Sequence, residues 1–349
     1  VIYATQNAER FAFGAIATLD ALGVVDSLCF GSEIEAWNEM MAAAQAFVHE
    51  PERFRSQLQS ALKQGHNYPH ASAVALQAWA EKQGLPIEAK EWSQPNNRLG
   101  FYYCIALARL QSSIIPFNLK RWKADYHQRE VTDHAIASAT AIRQLILAAE
   151  NHEQALASIQ PYVPSFTYQL LQQAWDEGYP PLSWEHFYPQ LLSQIITNSH
   201  EELASFLDVT EGLEYRIKKM APTVSQVEHL IEAVKSKRYT WTRIQRAFTH
   251  ILLRYTEEEA RQFNALQHVP YIRVLGMSRG GQTLLQQAKK VCPVPIITKI
   301  GRKRHPMLEK EIQASMLYAT AMPPHLRPQL LLRDFQQPPL RPPWELGQF

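Results

Sequence analysis

At 349 residues the chain is long enough for two or three domains with cores of their own, and 46% apolar and 19% charged residues are the proportions of a folded protein. No apolar run approaches the ~20 residues of a membrane span, and a net charge of only +2 means that any polyanion-binding surface has to be local. Cys29, Cys104 and Cys292 are far apart, sit among apolar neighbours and have no CxxC or Cys/His metal spacing, so they read as reduced core residues of a cytoplasmic protein, with neither a disulfide nor a metal site suggested.

The chain opens at Val1 with no basic-then-apolar leader, and 9–23 reads as an amphipathic helix with Gly23 in its C-cap place. Residues 24–30 read as a short buried strand, and Gly31-Ser32-Glu33 as a turn opening the next helix. Such backbone N–H groups at the carboxyl end of a strand suit a ligand, although taken alone the plain turn is the better explanation. Helical periodicity covers 34–49, 51–64 and 70–84. After Pro95, Asn96 or Asn97 suits the cap of a further helix. Gln111 to Phe117 reads as a second strand and Lys120 to Asp133 as a polar loop carrying Arg121, Lys123, Asp125, His127 and Arg129. Ser138 is a natural N-cap, with Thr140 two residues on and Arg143 just past the first turn. Two hydroxyls, helix N–H groups and a cation make a socket for phosphate oxygens, and an ordinary capped helix has the same pattern.

From about 150 to 265 the periodicity is almost wholly helical, with prolines in the joints. Residues 271–276 and 294–298 read as strands around a helix at 279–290, and four prolines follow Gln337. The densest charge lies within 235–246. Between Arg216 and Arg246 eight Lys/Arg face two acids, Glu228 and Glu232, a local excess of +6. In a helix from about Tyr239, one face carries Tyr239, Arg243, Arg246 and His250, and another Trp241, Ile244, Phe248 and Leu252. This is the expected look of an RNA-binding face, with a solvated helix as the bland reading. Arg302 to His305 is a second basic run that reads equally as a solvated turn.

Seven segments together resemble a known family. They are Phe30-Gly31-Ser32-Glu33, Pro95-Asn96-Asn97-x-Leu99-Gly100, Asp125-Tyr126-His127, Ala137-Ser138-Ala139-Thr140-x-Ile142-Arg143, Glu211-Gly212-Leu213-Glu214-x-Arg216-Ile217, Lys237-Arg238-Tyr239-Thr240-Trp241-Thr242-Arg243-x-Gln245-Arg246 and Tyr271-Ile272-Arg273-x-Leu275-Gly276. In this order, from the first residues to about 320, the sequence is similar to the bacterial tRNA(Met) cytidine acetate ligases, nucleotidyltransferase-like enzymes. The family's opening Asn-Pro-Phe-His-x-Gly-His signature has no counterpart here, so the chain reads as starting inside that domain.

The resemblance implies a fold, a chemistry and a set of contacts. The expected fold is α/β: a Rossmann-like nucleotidyltransferase domain over 1–150, incomplete at its amino terminus, a helical tRNA-binding region over 151–266, a small α/β module over 267–335 and a proline-rich tail over 336–349. The implied activity is ATP-dependent activation of acetate as acetyl-adenylate, followed by acetylation of N4 of the wobble cytidine of elongator tRNA(Met). By this resemblance Gly31, Asn96, Arg121 and Trp122 contact ATP, which enters with Mg²⁺, and Ser138, Thr140 and Arg143 hold its phosphates. Lys235, Lys237, Arg238, Arg243 and Arg246 hold tRNA phosphates, and Tyr239 stacks on a base. No catalytic nucleophile is assigned. A non-catalytic RNA-binding protein, and an enzyme activating another small acid, stand as alternatives.

Overall fold

The computed structural model describes residues 1–49, 52–65, 68–82, 84, 94–121, 137–236 and 239–342. The chain forms two compact units, each discontinuous in sequence. One holds Asn7–Lys123, Gln267–Ile297 and the residues from Arg341; the other holds Val1–Gln6, Ala124–Leu266 and Thr298–Leu340. The closing module expected over 267–335 is therefore divided between them. The helix over 279–291 contacts the first helix of the α/β unit, while the helix over 306–320 packs with the one over 241–253 in the helical region.

In the first unit, α1 (Ala8–Leu22) starts where the Asn7 side-chain oxygen accepts the Arg10 N–H at 3.0 Å and stops at Gly23, whose φ of +66° favours glycine. Strand β1 (Ser27–Ser32) runs parallel to β2 (Ile115–Lys120), in register from Ser27 opposite Ile115 to Ser32 opposite Lys120. The second strand starts later than its apolar pattern suggested, because Gln111, at φ +51°, closes the helix before it. Between the strands lie α2 (Trp37–His49), α3 (Glu52–Lys63), α4 (Tyr68–Lys82) and α5 (Pro95–Leu110). Phe30, Met40, Ala43, Phe47, Phe54, Leu76, Phe101 and Ile105 form their common core. Each fully buried Phe or Leu contributes about 1.5–3 kcal/mol. Helix α5 reaches the strand closely enough that a Cβ on Gly100 would lie 2.3 Å from the Phe30 ring. Cys104 belongs to this core as expected, but Cys29 points to the open face of β1 and is exposed.

The later part of this unit is a β-α-β crossover: β3 (Ile272–Arg273), α6 (Arg279–Val291) and β4 (Ile296–Ile297), the strands parallel. Ser278 caps α6 by accepting the Gly281 N–H at 3.0 Å. A Cβ on Gly23 would lie 2.8 Å from Val291, so the ends of α1 and α6 meet through the missing side chain.

The second unit is helical, as the periodicity predicts. Its helices are α7 (Ala139–Ala148), α8 (His152–Ile159), α9 (Ser165–Asp176), α10 (Tyr188–Thr197), α11 (His200–Ala204), α12 (Leu213–Met220), α13 (Val227–Val234), α14 (Trp241–Leu253), α15 (Glu257–Asn264), α16 (Pro306–Thr320) and α17 (Arg327–Gln336). Reciprocal caps at Ser199/Glu202 and Thr256/Glu259 start α11 and α15. Leu191, Ile195, Leu213, Ile217, Leu230, Ile231, Ile244, Phe248 and Ile251 form the central core. The expected packing face of α14 is observed, with Ile244 and Phe248 fully buried and Trp241 and Leu252 packed against the same cluster. Among the described residues no helix is long and apolar enough to cross a membrane.

Candidate nucleotide and RNA sites

The carboxyl ends of β1 and β2 carry a polar knot. The Asn97 side chain, fully buried, accepts the Glu33 N–H at 2.8 Å and the Ile34 N–H at 3.1 Å. In return the Glu33 carboxylate accepts from the Asn97 N–H at 2.8 Å, the Asn96 N–H at 3.2 Å and the Asn96 side-chain amide at 2.7 Å. The helix α5 is thus capped neither by Asn96 nor by Asn97. Both lie inside its first turn, and a carboxylate from the end of β1 takes the cap, where the helix dipole favours negative charge. The Gly31-Ser32-Glu33 turn is corrected likewise: Gly31 and Ser32 are the last residues of β1, and the next helix waits until Trp37. The Glu33 N–H, expected to face a ligand, is taken by Asn97.

Two expected nucleotide residues remain open to solvent here, Gly31 and Arg121. The Arg121 N–H donates to the Ser32 carbonyl at 2.8 Å, which extends the strand pairing by one residue and sets the two side by side. A Cβ at Gly31 would meet the Arg121 side chain at 3.6 Å, an ordinary contact, so the protein's own packing does not demand glycine there. Asn118, also buried, donates to the Ser32 hydroxyl and the Ile34 carbonyl, stiffening the rim. Trp122, Lys123, Asp125, His127 and Arg129 lie outside the described residues.

The expected hydroxyl turn is present, but in the helical unit and not in the 1–150 domain to which the sequence assigns it. Ser138 accepts the Ala141 N–H at 3.0 Å and caps α7, with Thr140 half-buried and Arg143 exposed. Gly31, Asn96 and Arg121 belong to the α/β unit, and Ser138, Thr140 and Arg143 to the helical one.

The basic region differs most from its expectation. Helix α14 begins at Trp241, with the Thr240 hydroxyl accepting the Arg243 N–H at 3.4 Å, so Tyr239 lies outside it. The Tyr239 ring is 7% exposed and its hydroxyl donates to the Glu211 carbonyl at 2.5 Å, which corrects its reading as a base-stacking residue. Arg243 pairs with Glu211 at 3.3 Å and the Thr210 hydroxyl at 2.8 Å, and Arg246 with Asp208 at 3.1 Å. His250, read as a member of the cationic face, is fully buried with its Nδ1 3.0 Å from the Leu207 carbonyl and 3.4 Å from Asp208. Burial pushes its pKa below the ordinary range, against the pull of Asp208. This face of α14 therefore clamps the 207–212 loop, in which Asp208 and Glu211 hold φ near +65°.

Two further cations serve structure. Arg216 donates to the Ala233 and Lys235 carbonyls at 3.0 and 3.1 Å, closing the end of α13, and Lys218 donates to the Asn198 carbonyl. Lys219 and Lys235 are exposed, and their ammonium groups make no hydrogen bond or ion pair with another described residue. Lys237 and Arg238 lie outside the described residues. Near the second basic run, Arg304 pairs with Glu309 at 3.8 Å and the His305 ring caps α16 by accepting the Met307 N–H, so both have structural work there. Sequence reasoning missed Asp208 and Glu211. They sit just before the window in which charge was counted, and starting at Asp208 adds three carboxylates and lowers the excess to +3.

A two-unit chain with a parallel α/β element and a strand-end glycine beside an arginine has the character of a nucleotide-binding enzyme. The family described as HIGH Nucleotidyl Transferase matches residues 1–333. A tRNA(Met) cytidine acetate ligase of Geobacillus sp. (strain WCH70) is 35% identical over 339 residues, 97% of this chain and 81% of its own length. One from Bacillus mycoides (strain KBAB4) is 38% identical over 341 residues, 97% of this chain and 84% of its own length. The crystal structure of Thermotoga maritima TmcAL in its apo form I superposes with a TM-score of 0.88 at 27% identity, covering 98% of this chain and 83% of that one. The same protein bound with alpha-thio ATP gives 0.85 at 26% identity, covering 97% and 82%. The chain belongs to the tRNA(Met) cytidine acetate ligase family within the HIGH nucleotidyl transferases.

Proposed function

We propose that this chain belongs to an ATP-dependent ligase that activates acetate as acetyl-adenylate and acetylates N4 of the wobble cytidine of elongator tRNA(Met). The observation that carries this is the match, over 97% of the chain, to relatives named for that substrate. The likeness to a TmcAL bound with alpha-thio ATP supports the nucleotide half. So does Gly31, a glycine that packing does not require, at a strand end beside Arg121.

In this scheme the acetate oxygen attacks the α-phosphorus of ATP and pyrophosphate leaves. Gly31, Asn96, Arg121 and Trp122 hold the nucleotide, while the Ser138 turn, Thr140 and Arg143 neutralise charge on the phosphates. Magnesium arriving with ATP would supply positive charge that helps neutralise the phosphates as pyrophosphate leaves. Among the described residues no group of three or more His, Cys, Asp or Glu is placed to hold a metal ion. The cytidine amine then displaces AMP from the mixed anhydride, a step that needs positioning and no protein nucleophile. Lys235, Lys237 and Arg238 hold tRNA phosphates; Arg243 and Arg246 act indirectly, by holding the 207–212 loop.

The test is acetate-dependent exchange of labelled pyrophosphate into ATP, with this chain and with a chimera carrying the family's histidine segment in front of Val1. Exchange in either, lowered about 100-fold or more by Arg143→Ala while tRNA binding survives, is the expected result. No exchange in both, with tRNA still bound, overturns the ligase reading in favour of RNA binding alone.

A further inference from the structure

Tyr239 is buried, so a base on this surface needs another aromatic partner, and the structure offers one. On α12 the apolar Leu213 and Ile217 face the core, and the acidic Glu214 is turned inward with them. Tyr215 points the other way, 59% exposed. One face of its ring stacks on His200, with centroids 4.5 Å apart and planes 25° apart. A tyrosine held flat by a histidine, with most of its surface in water, has been ordered without being covered.

The charge around it has the matching sign. Lys219 lies one turn along α12 on the same side as Tyr215, and both are exposed. Lys235 adjoins the helix, because Arg216 of α12 grips the Lys235 carbonyl. Among the described residues, Lys219 and Lys235 are the two cations of the basic region whose side-chain ammonium groups make no hydrogen bond or ion pair. Glu201 stands beside His200, so the patch is mixed and charge by itself does not define it. What sets it apart is the exposed aromatic face with Lys219 one turn along the same helix, which suits a single-stranded nucleic acid: base on ring, phosphate on ammonium.

Resting on the RNA reading above, we propose that Tyr215, stacked on His200 and with Lys219 one turn along the same helix side, is a platform for an unpaired base of the RNA substrate. The platform does not touch the reacting atoms. It acts in binding, and a fully paired duplex, whose bases are already stacked on one another, has nothing to place on it.

The experiment measures binding of a tRNA(Met) transcript and of a fully paired RNA duplex to the wild-type chain and to Tyr215→Ala, Tyr215→Phe and Lys219→Gln. Tyr215→Ala is expected to weaken transcript binding about 5- to 100-fold, the worth of one stacked base, with duplex binding unchanged. Tyr215→Phe keeps the ring and stays within about twofold, and Lys219→Gln lowers the salt slope by about one. Unchanged transcript binding by Tyr215→Ala, or equal loss for transcript and duplex, overturns the platform and leaves the proposed function standing. A wild-type chain that binds neither RNA overturns both.

Discussion

Asn97 and Glu33 show how much one residue pair can decide. Each satisfies backbone N–H groups of the other's segment, 64 residues away. Asn97→Ala leaves the Glu33 and Ile34 N–H groups without an acceptor, and a loss of about 1–3 kcal/mol in urea unfolding is expected. Sequence showed that Asn96-Asn97 mattered at this helix start but misjudged how, because a local cap rule cannot see a carboxylate arriving from another strand. The cysteines divide in a similar way. Burial pushes the Cys104 thiol up to about 12, whereas Cys29 is exposed. A thiol reagent followed by mass spectrometry should mark Cys29 on the folded chain and Cys104 only on unfolding. For His250 the sign follows from burial. Its folded pKa lies below the unfolded 6.5, so the unfolded chain takes the proton first. Stability is then full above about pH 6.5 and declines below it. The melting temperature should fall between about pH 7.5 and 5.5, and His250→Asn should flatten part of that fall.

At the scale of elements, α14 illustrates where periodicity succeeds and where it misleads. The spacing of Ile244 and Phe248 located the buried face correctly, since burying an apolar stripe is what makes such a helix stable. The opposite face was legible as charged but not as paired, because its partners sit on a loop three decades of residues earlier. That loop places Asp208 and Glu211 in a left-handed conformation costing roughly 1–2 kcal/mol per residue, so it needs its arginine clamps. Arg246→Ala should accordingly quicken amide hydrogen exchange over 207–212 and lower the melting temperature. In the same assay Lys235→Glu should leave exchange and melting unchanged. A charge-reversal experiment that treats all the cations of this stretch alike would confuse a broken loop with a lost RNA contact. The tight approach of α5 to β1 is a second element-scale test. Gly100→Ala forces a methyl into the Phe30 ring, and about 1–3 kcal/mol of destabilisation is expected in denaturant unfolding.

For the whole molecule, the alternation of strand and helix patterns gave the α/β and helical characters correctly, because each depends on short-range spacing. The partition of the chain was not legible in the same way. Residues 267–297 read as a separate closing piece, since nothing in their own spacing says that they return to elements formed near the start. The segment 298–340 returns to the helical unit by the same kind of long connection. Cutting the chain after Leu266 is therefore expected to leave neither unit intact, with loss of cooperative melting rather than release of a stable fragment. This interleaving also bears on synthesis. A ribosome delivers Asn7–Lys123 first, yet the β-α-β piece that completes this unit emerges only after the whole of Ala124–Leu266. Until then that unit has apolar surface awaiting its partner, and so does the helical one, which waits for α16 and α17. Both should reach their final packing only once residues up to Leu340 have emerged, and until then a nascent chain depends on chaperones to stay off its neighbours.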